Sequence, residues 1–343
     1  MPGEPRITGL YVAGYGFGPD YGLHRFLSVG GHWAGELLVE VAELEALVQH
    51  PALPVIYGVS GTGAGIVRAW YVSGDGAQLL SEASTAGVKP CHVAIDATGR
   101  ILVVANFETA SIAIWALAHD GTILGAPRLI ELSGSSVTPE RQNGPHPHQL
   151  VFAHSSLFVV DLGADVVHIF SISPLQSGAD SLNIVRRVAV PAGTGPRHLV
   201  ALAHGKIALT GELGSTVIFG QLEGHPPNWY SSPSTEHARS AIGQSRNFPG
   251  DIQRSPDGQL VYVANRGSDT IATFTLAAQV PVMVSELDSS VRWPQHLLLA
   301  NDQLFVAGRD SSTVVALSLV DGVPVESHAL FECLGAAWLL PIF

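Results

Sequence analysis

The 343-residue chain is poor in charge, lysine, cysteine and long apolar runs, and each shortage excludes a class of protein. Charged residues make up 13% of the chain and the net charge is −12 with histidine neutral. That acidic balance, with Lys89 and Lys206 as the only lysines, argues against nucleic acid as a partner, because phosphate contacts need a basic surface. The basic side chains open to ligand recognition are therefore arginines, whose planar fork grips carboxylate or phosphate through two bonds at once. Cys91 and Cys333, with no CxxC, give neither a disulfide scaffold nor a cysteine zinc site, and point to a reducing cytoplasm. No apolar run reaches the roughly 18 residues of a membrane helix. The opening Met-Pro-Gly-Glu-Pro-Arg-Ile lacks the charged and apolar regions of a secretion signal. The expectation is a cytoplasmic protein with no membrane partner.

Familiar catalytic signatures are also missing. Gly14-Tyr-Gly16-Phe-Gly18 and Gly61-Thr-Gly63-Ala-Gly65 miss the GxGxxG spacing and read as loop glycines. Gly205-Lys206 is followed by Ile207 instead of Ser or Thr, which excludes a phosphate-binding loop. There is no GxSxG nucleophile elbow and no HExxH, and His146-Pro-His148 alone is thin evidence for a metal.

What is abundant is apolar and turn-forming: 46% hydrophobic residues, with 37 Gly and 22 Pro to punctuate short strands. One pattern returns at a fixed register. Val-Ala-Asn106, Val-Val-Asp161, Thr-Gly211, Val-Ala-Asn265 and Val-Ala-Gly308 are each followed six residues later by Ile112, Val167, Val217, Ile271 and Val314. Weaker copies stand at Gly14 and Ser60, giving spacings of about 43 to 55 residues, the range of four-stranded propeller blades. Counting from 308 through the C-terminus and on to 14 spans about 49 residues, again one repeat. An all-β, seven-bladed propeller of four-stranded antiparallel blades, one domain over 1–343, follows. In its split blade the outer strands come from Leu10 to Gly14, Leu23 to Ser28 and Glu36 to Val41, and the innermost from Gly335 to Phe343. Asp96-Ala-Thr-Gly99 and Ser255-Pro-Asp-Gly258 read as hairpin turns between strands. Glu36 to His50 has helix-like spacing but reads as two strands, since Ala46 to His50 falls where its repeat needs a first strand.

Superposing the repeats brings two positions together on one face: the start of each first strand and the end of each second. The strand-start position is read as His92, His148, His198, Asp251 and His296, with Arg197 just before His198 and His146 two before His148. The strand-end position is read as Tyr15, Phe107, Leu162, Glu212, Arg266 and Arg309. A purely structural repeat would carry similar small or apolar residues there; these blades carry different ionisable groups. Histidines at such positions can also cap strands by bonding to neighbouring backbone, and Arg309 can equally be solvated. Arg197, Glu212 and Arg266 are the charges hardest to place structurally.

Pro90-Cys-His92, Pro147-His148, Gly195-Pro-Arg197-His198, Ser255-Pro-Asp-Gly258, Val-Ala-Asn265-Arg266-Gly267 and Pro294-Gln-His296 together resemble the lactonase family of seven-bladed propellers. That family includes bacterial 6-phosphogluconolactonases and fungal carboxymuconate lactonizing enzymes. The resemblance covers nearly the whole chain, most strongly Pro90 to Leu317. It implies an active site at the channel mouth, with His148, Arg197, Glu212 and Arg266 as catalytic residues. His92, His146, His198, Asp251, His296 and Arg309 are then the candidate substrate-binding residues. Gly211, where members often have Asn, and Gln295, where many have Arg, depart from the family pattern.

The implied chemistry is hydrolysis of a small anionic sugar lactone of the 6-phosphogluconolactone type. The arginines hold the acid group and the developing oxyanion, while Glu212 or His148 moves the proton. The alternative is ring closure of 3-carboxymuconate by the same groups. Neither path demands a metal or an organic cofactor. A non-catalytic propeller that binds a protein would instead show exposed aromatic patches; Trp229 and Tyr230, in a polar insert from Gly224 to Gln244 read as a loop or a subunit contact, are the one candidate.

Overall fold

A computed structural model of the chain describes residues 6–61, 63–153, 155–172, 182–222, 228–235, 246–278 and 280–343. In chain order the strands are β1 Gly9–Gly14, β2 Gly22–Val29, β3 His32–Glu40, β4 Leu44–Gln49, β5 Val55–Ser60, β6 Ala64–Ser73 and β7 Gly76–Val88. They continue with β8 Pro90–Ile95, β9 Ile101–Asn106, β10 Ser111–Ala116, β11 Arg128–Glu131, β12 Pro147–Ala153, β13 Ser156–Asp161, β14 Val166–Ile172 and β15 Leu182–Ala189. The rest are β16 Pro196–Ala201, β17 Lys206–Gly211, β18 Thr216–Gln221, β19 Trp229–Pro233, β20 Phe248–Arg254, β21 Leu260–Arg266, β22 Thr270–Thr275, β23 Val282–Asp288, β24 Pro294–Ala300, β25 Gln303–Gly308, β26 Thr313–Val320, β27 Val323–Glu332 and β28 Ala336–Ile342. They form seven four-stranded sheets, and the paired strands are antiparallel throughout, as the spacing of the Val-Ala-Asn register requires.

The split blade has the order β28–β1–β2–β3, so the C-terminal strand supplies one edge of a sheet begun at the N-terminus. The stretch with helix-like spacing is two strands, β3 and β4. Trp229 and Tyr230 are not part of a loop: they lie on β19, the fourth strand of its blade, while 224–227 and 236–244 of the insert fall outside the described residues.

The chain divides into two compact units, one holding β4 to β15 and the other β1 to β3 and β17 to β28. In each unit the core lies between blades. Val103, Ile112 and Ile114 of one blade pack with Leu150, Leu157 and Phe170 of the next. In the other unit Ala208, Val217 and Phe219 pack with Ile252, Val263 and Phe274. Second strands such as β5 and β9 are buried along their whole length, which is why they read as unbroken apolar runs.

The turns follow local chemistry. Asp96 Oδ1 accepts the N–H groups of Arg100 and Ile101, both at 2.7 Å, and Gly99 takes the left-handed conformation (φ +69°) that completes the turn. In the repeat further on, Ser255 Oγ accepts from Leu260 N–H at 2.9 Å and Gly258 has φ +70°. At the far end of the second strands, Asn106 Nδ2 donates to Thr85 O and Asn265 Nδ2 to Ser234 O, so each amide ties its strand to a neighbouring segment.

Candidate functional site

The first strands β4, β8, β12, β20, β24 and β28 each start with a register shift of the β-bulge kind, and the register corrects the superposition made from sequence. Pro90 pairs with Asn106 and His92 with Ala105, leaving Cys91 as the extra residue. Pro294 and His296 treat Gln295 alike, and Leu44 and Ala46 treat Glu45 alike. In β12, Pro147 pairs with Asp161 and Gln149 with Val160, so the bulged residue is His148. His148 therefore corresponds to Glu45, Cys91 and Gln295, and Gln149 corresponds to His92. The histidine was the wrong marker; in β8, β12 and β24 the residue before the bulge is a proline, which has no N–H to give the ladder, and in β4 it is Leu44. Pro196-Arg197-His198 at the start of β16 repeats the Pro-x-His spacing, with Arg197 next to the proline. Because a one-residue slip turns a side chain to the other face, the misalignment merged two functionally different positions.

The position after the bulge binds backbone. Gln149 Oε1 accepts Leu199 N–H at 2.7 Å, Asp251 Oδ2 accepts Leu297 N–H at 2.8 Å, and Leu339 N–H donates to His296 Nδ1 at 3.3 Å. Each bond ties a first strand to the next one. Asp251 and His296 thus perform the strand-tying role weighed against ligand binding, and the His296 ring also lies 4.1 Å from that of Trp338.

Why strand starts and strand ends meet is also visible. The residue before the first strand is left-handed at Glu43, Lys89, Gly195, Trp293 and Gly335 (φ +55° to +62°). Its carbonyl accepts the N–H of the strand-end residue: Phe107 to Lys89 at 3.0 Å, Arg309 to Trp293 at 3.1 Å, Tyr15 to Gly335 at 2.8 Å. Leu162 N–H bonds to His146 O in the same way at 3.0 Å.

In the unit holding β4 to β15, these rules assemble an aromatic and basic cluster. The rings of His92 and His148 lie 5.8 and 5.4 Å from that of His198, both in edge-on geometry. Arg197, the chain neighbour of His198, is 3% exposed. His146 stacks on Phe107 at 4.4 Å and its Nδ1–H donates to Phe107 O at 2.9 Å, which fixes it as a wall of the cluster, while the His148 ring stands edge-on to Phe107 at 5.6 Å. Cys91 lies among them, its Sγ 3.4 Å from Pro147 O. Burial pushes its thiol far up and the Glu45 carboxylate adds to this, outweighing Arg197 and Lys89, so the sulfur stays protonated and is no nucleophile. Sequence reasoning missed Glu45, since only the bulge register equates it with Cys91 and His148.

The other unit gathers charge. Arg266 Nη2 donates to Glu212 Oε2 at 2.6 Å, with both side chains over nine-tenths buried, and Arg266 Nε donates to Phe248 O at 3.0 Å. Gly250 makes room for this: a Cβ there would stand 2.9 Å from Arg266 Nε. The Arg266 guanidinium lies 5.3 Å from the Trp293 ring centre, and that of Arg309 lies 5.2 Å from the same ring and 6.0 Å from Tyr15. Arg309 Nε donates to Asp310 Oδ1 at 3.0 Å. A buried ion pair repays little of its desolvation cost as stability, so this pair is weak as a stabilising element. Trp293 was not legible as part of this group, because the residues at its repeat position share a backbone conformation but no side-chain type. Among the described residues no group of three or more His, Cys, Asp or Glu side chains has the geometry to hold a metal, and no helix is long and apolar enough to cross a membrane.

Residues 34–322 match the family model described as lactonase, seven-bladed β-propeller. A 6-phosphogluconolactonase of Formosa agariphila is 30% identical over 58% of this chain and 57% of its own length, so the chain matches less than two thirds of that relative. A 6-phosphogluconolactonase of Bacillus subtilis is 26% identical over 76% of this chain and 74% of its own. Among solved structures, the periplasmic gluconolactonase of Pseudomonas aeruginosa superposes with a TM-score of 0.82 at 21% identity, covering 98% of this chain and 99% of that one. With a family model spanning most of its length and seven four-stranded blades, the chain belongs to the lactonase family of seven-bladed β-propellers.

Proposed function

We propose that the chain is a lactone hydrolase of the 6-phosphogluconolactonase type, acting on a small anionic sugar lactone without a metal. The observation that carries this reading is the buried Glu212–Arg266 pair on a chain of the lactonase family. A carboxylate held at 2.6 Å by a guanidinium is fixed in orientation, and in this reading it is the group that meets the attacking water molecule. Glu212 takes a proton from that water as its oxygen adds to the lactone carbonyl carbon. Arg266 offsets the negative charge that gathers on the carbonyl oxygen. The ring C–O bond then breaks and the departing alkoxide takes a proton, leaving an open-chain hydroxy acid.

Within the unit holding β4 to β15, the reading gives His148 an acid–base role and Arg197 an anion-stabilising one. Their support is the family likeness and their shared place after a strand-opening proline. His92 and His198, whose rings stand edge-on around that position, are read as substrate contacts, whereas His146 serves them as a wall.

The test is a side-by-side assay of freshly made 6-phosphogluconolactone and 3-carboxymuconate. The expected result is lactone opening well above the spontaneous rate, with no ring closure of the muconate. Ring closure without lactone opening, or activity on neither, would overturn the proposal.

A further inference from the structure

The turn between the second and third strands of a blade has a left-handed residue at one repeated place, filled by Ala110, Asp165, Ser215, Asp269 and Ser312 (φ +51° to +58°). Ala110 fills it with a methyl group, so the turn itself needs no hydrogen-bonding side chain there. Asp165 is nevertheless 3% exposed and carries three side-chain bonds. Its Oδ1 accepts Gly195 N–H at 2.7 Å, and its Oδ2 accepts Gly193 N–H at 2.7 Å and Ser136 Oγ–H at 2.5 Å. Its backbone oxygen accepts Val190 N–H at 2.9 Å. One residue therefore holds the segment 190–195 at three points. Gly193 and Gly195 in that segment are both left-handed (φ +80° and +57°), and glycine backbone has little stiffness of its own. The segment runs straight into Pro196, which has no N–H to give, and then into Arg197.

Ser136 belongs to the segment that leads from β11 to β12. Its N–H donates to Gln142 O at 2.9 Å, and the fully buried Gln142 donates from Nε2 to Leu162 O at 2.9 Å. Four residues on, His146 opens the approach to His148, with its N–H held by Asp161. Asp165 thus bonds both to the segment that ends in His148 and to the segment that ends in Arg197. We infer that Asp165 is a positioning residue for Arg197: by fastening 190–195 to the turn after β13, it sets where the guanidinium stands relative to His148. The inference rests on the lactonase reading above, which gives Arg197 its anion-stabilising role, and adds the group that places it. Bonds from N–H to a carboxylate are about twice as strong as those between neutral groups, so one side chain suffices to fix two glycines.

The test is a double-mutant cycle on lactone opening. kcat and KM are measured for the wild type, Asp165→Ala, Arg197→Ala and the double variant, each at a temperature where a thermal melt shows it folded. Asp96→Ala is the control for lost stability, since Asp96 is a buried turn carboxylate of the same kind at the far end of its strands. The expected result is a kcat loss of about tenfold from Asp165→Ala in the wild-type background and of less than about twofold in the Arg197→Ala background. Asp165→Asn, which keeps an acceptor for one glycine, recovers part of the loss, and Asp96→Ala keeps the wild-type kcat. If the alanine variant does not fold, the cycle is run with Asp165→Asn and the same pattern is expected. Equal losses in the two backgrounds, no loss in the wild-type background, or a matching loss in Asp96→Ala would overturn the assignment. If the wild type opens no lactone, the hydrolase reading fails by itself. Crystal structures of the wild type and the Asp165 variant then decide the placement: a displaced Arg197 guanidinium sustains it, and an unmoved one refutes it.

Discussion

Arg197→Ala and Arg266→Ala each lower kcat/KM for lactone opening by about 10²- to 10³-fold, the cost of removing one preorganised group that stabilises developing negative charge. The two substitutions are not equivalent in the folded protein. Arg266 is the hydrogen-bonded partner of a buried carboxylate, and its removal takes that partner from Glu212 at a cost of about 3–5 kcal/mol. Arg266→Lys keeps the charge but loses the fork that reaches Glu212 and Phe248 O together, so it should fold well and still lose most turnover. Steady-state kinetics with a thermal melt on each variant separates the two effects. Wild-type rates in both alanine variants on every lactone tested would remove these arginines from the chemistry.

Asp161→Ala is the substitution expected to destabilise the fold most, by about 3–5 kcal/mol, with unfolding followed in urea. Asp161 is fully buried at the end of β13, and one oxygen accepts the N–H groups of His146 at 2.8 Å and of Gly163 and Ala164 at 3.1 Å. The other oxygen meets His168 Nε2 at 3.0 Å, also buried. Alanine removes the acceptor that all these donors share in the interior. Asp161→Asn keeps an acceptor for the backbone donors and should lose less. Because the carboxylate pins His146, which forms a wall beside Phe107 and His148, residual activity in Asp161→Ala should also fall. A urea midpoint matching the wild type would mean that the turn is held by something other than this side chain.

The blades were legible because their second strands repeat one pattern, an apolar run closed by Asn, Asp or Gly, and that pattern is dictated by burial on both faces. The convergence of strand starts and strand ends was legible too, and the backbone bond from Phe107 to Lys89 or from Arg309 to Trp293 is its physical cause. The register of His148 was not. A histidine follows the bulge proline directly in one blade and one residue later in others, and only the pairing partners decide which face it takes. Trp293 escaped notice for a related reason: Glu43, Lys89, Gly195, Trp293 and Gly335 share a left-handed backbone and nothing else, so no residue pattern marks the position. The aromatic insert was misread because its polar surroundings hid a short fourth strand at Trp229–Pro233. The fold constrains the backbone and leaves the side chain free at these few positions, and the proposed chemistry is placed there.

The most direct test of the account is the initial rate of 6-phosphogluconolactone opening by the wild type and by Glu212→Gln, corrected for spontaneous hydrolysis. Glutamine keeps the shape and can still bond Arg266, but it is a far weaker base. The account predicts a loss of about 10²- to 10⁴-fold in kcat with the fold unchanged. A Glu212→Gln variant as fast as the wild type would contradict it.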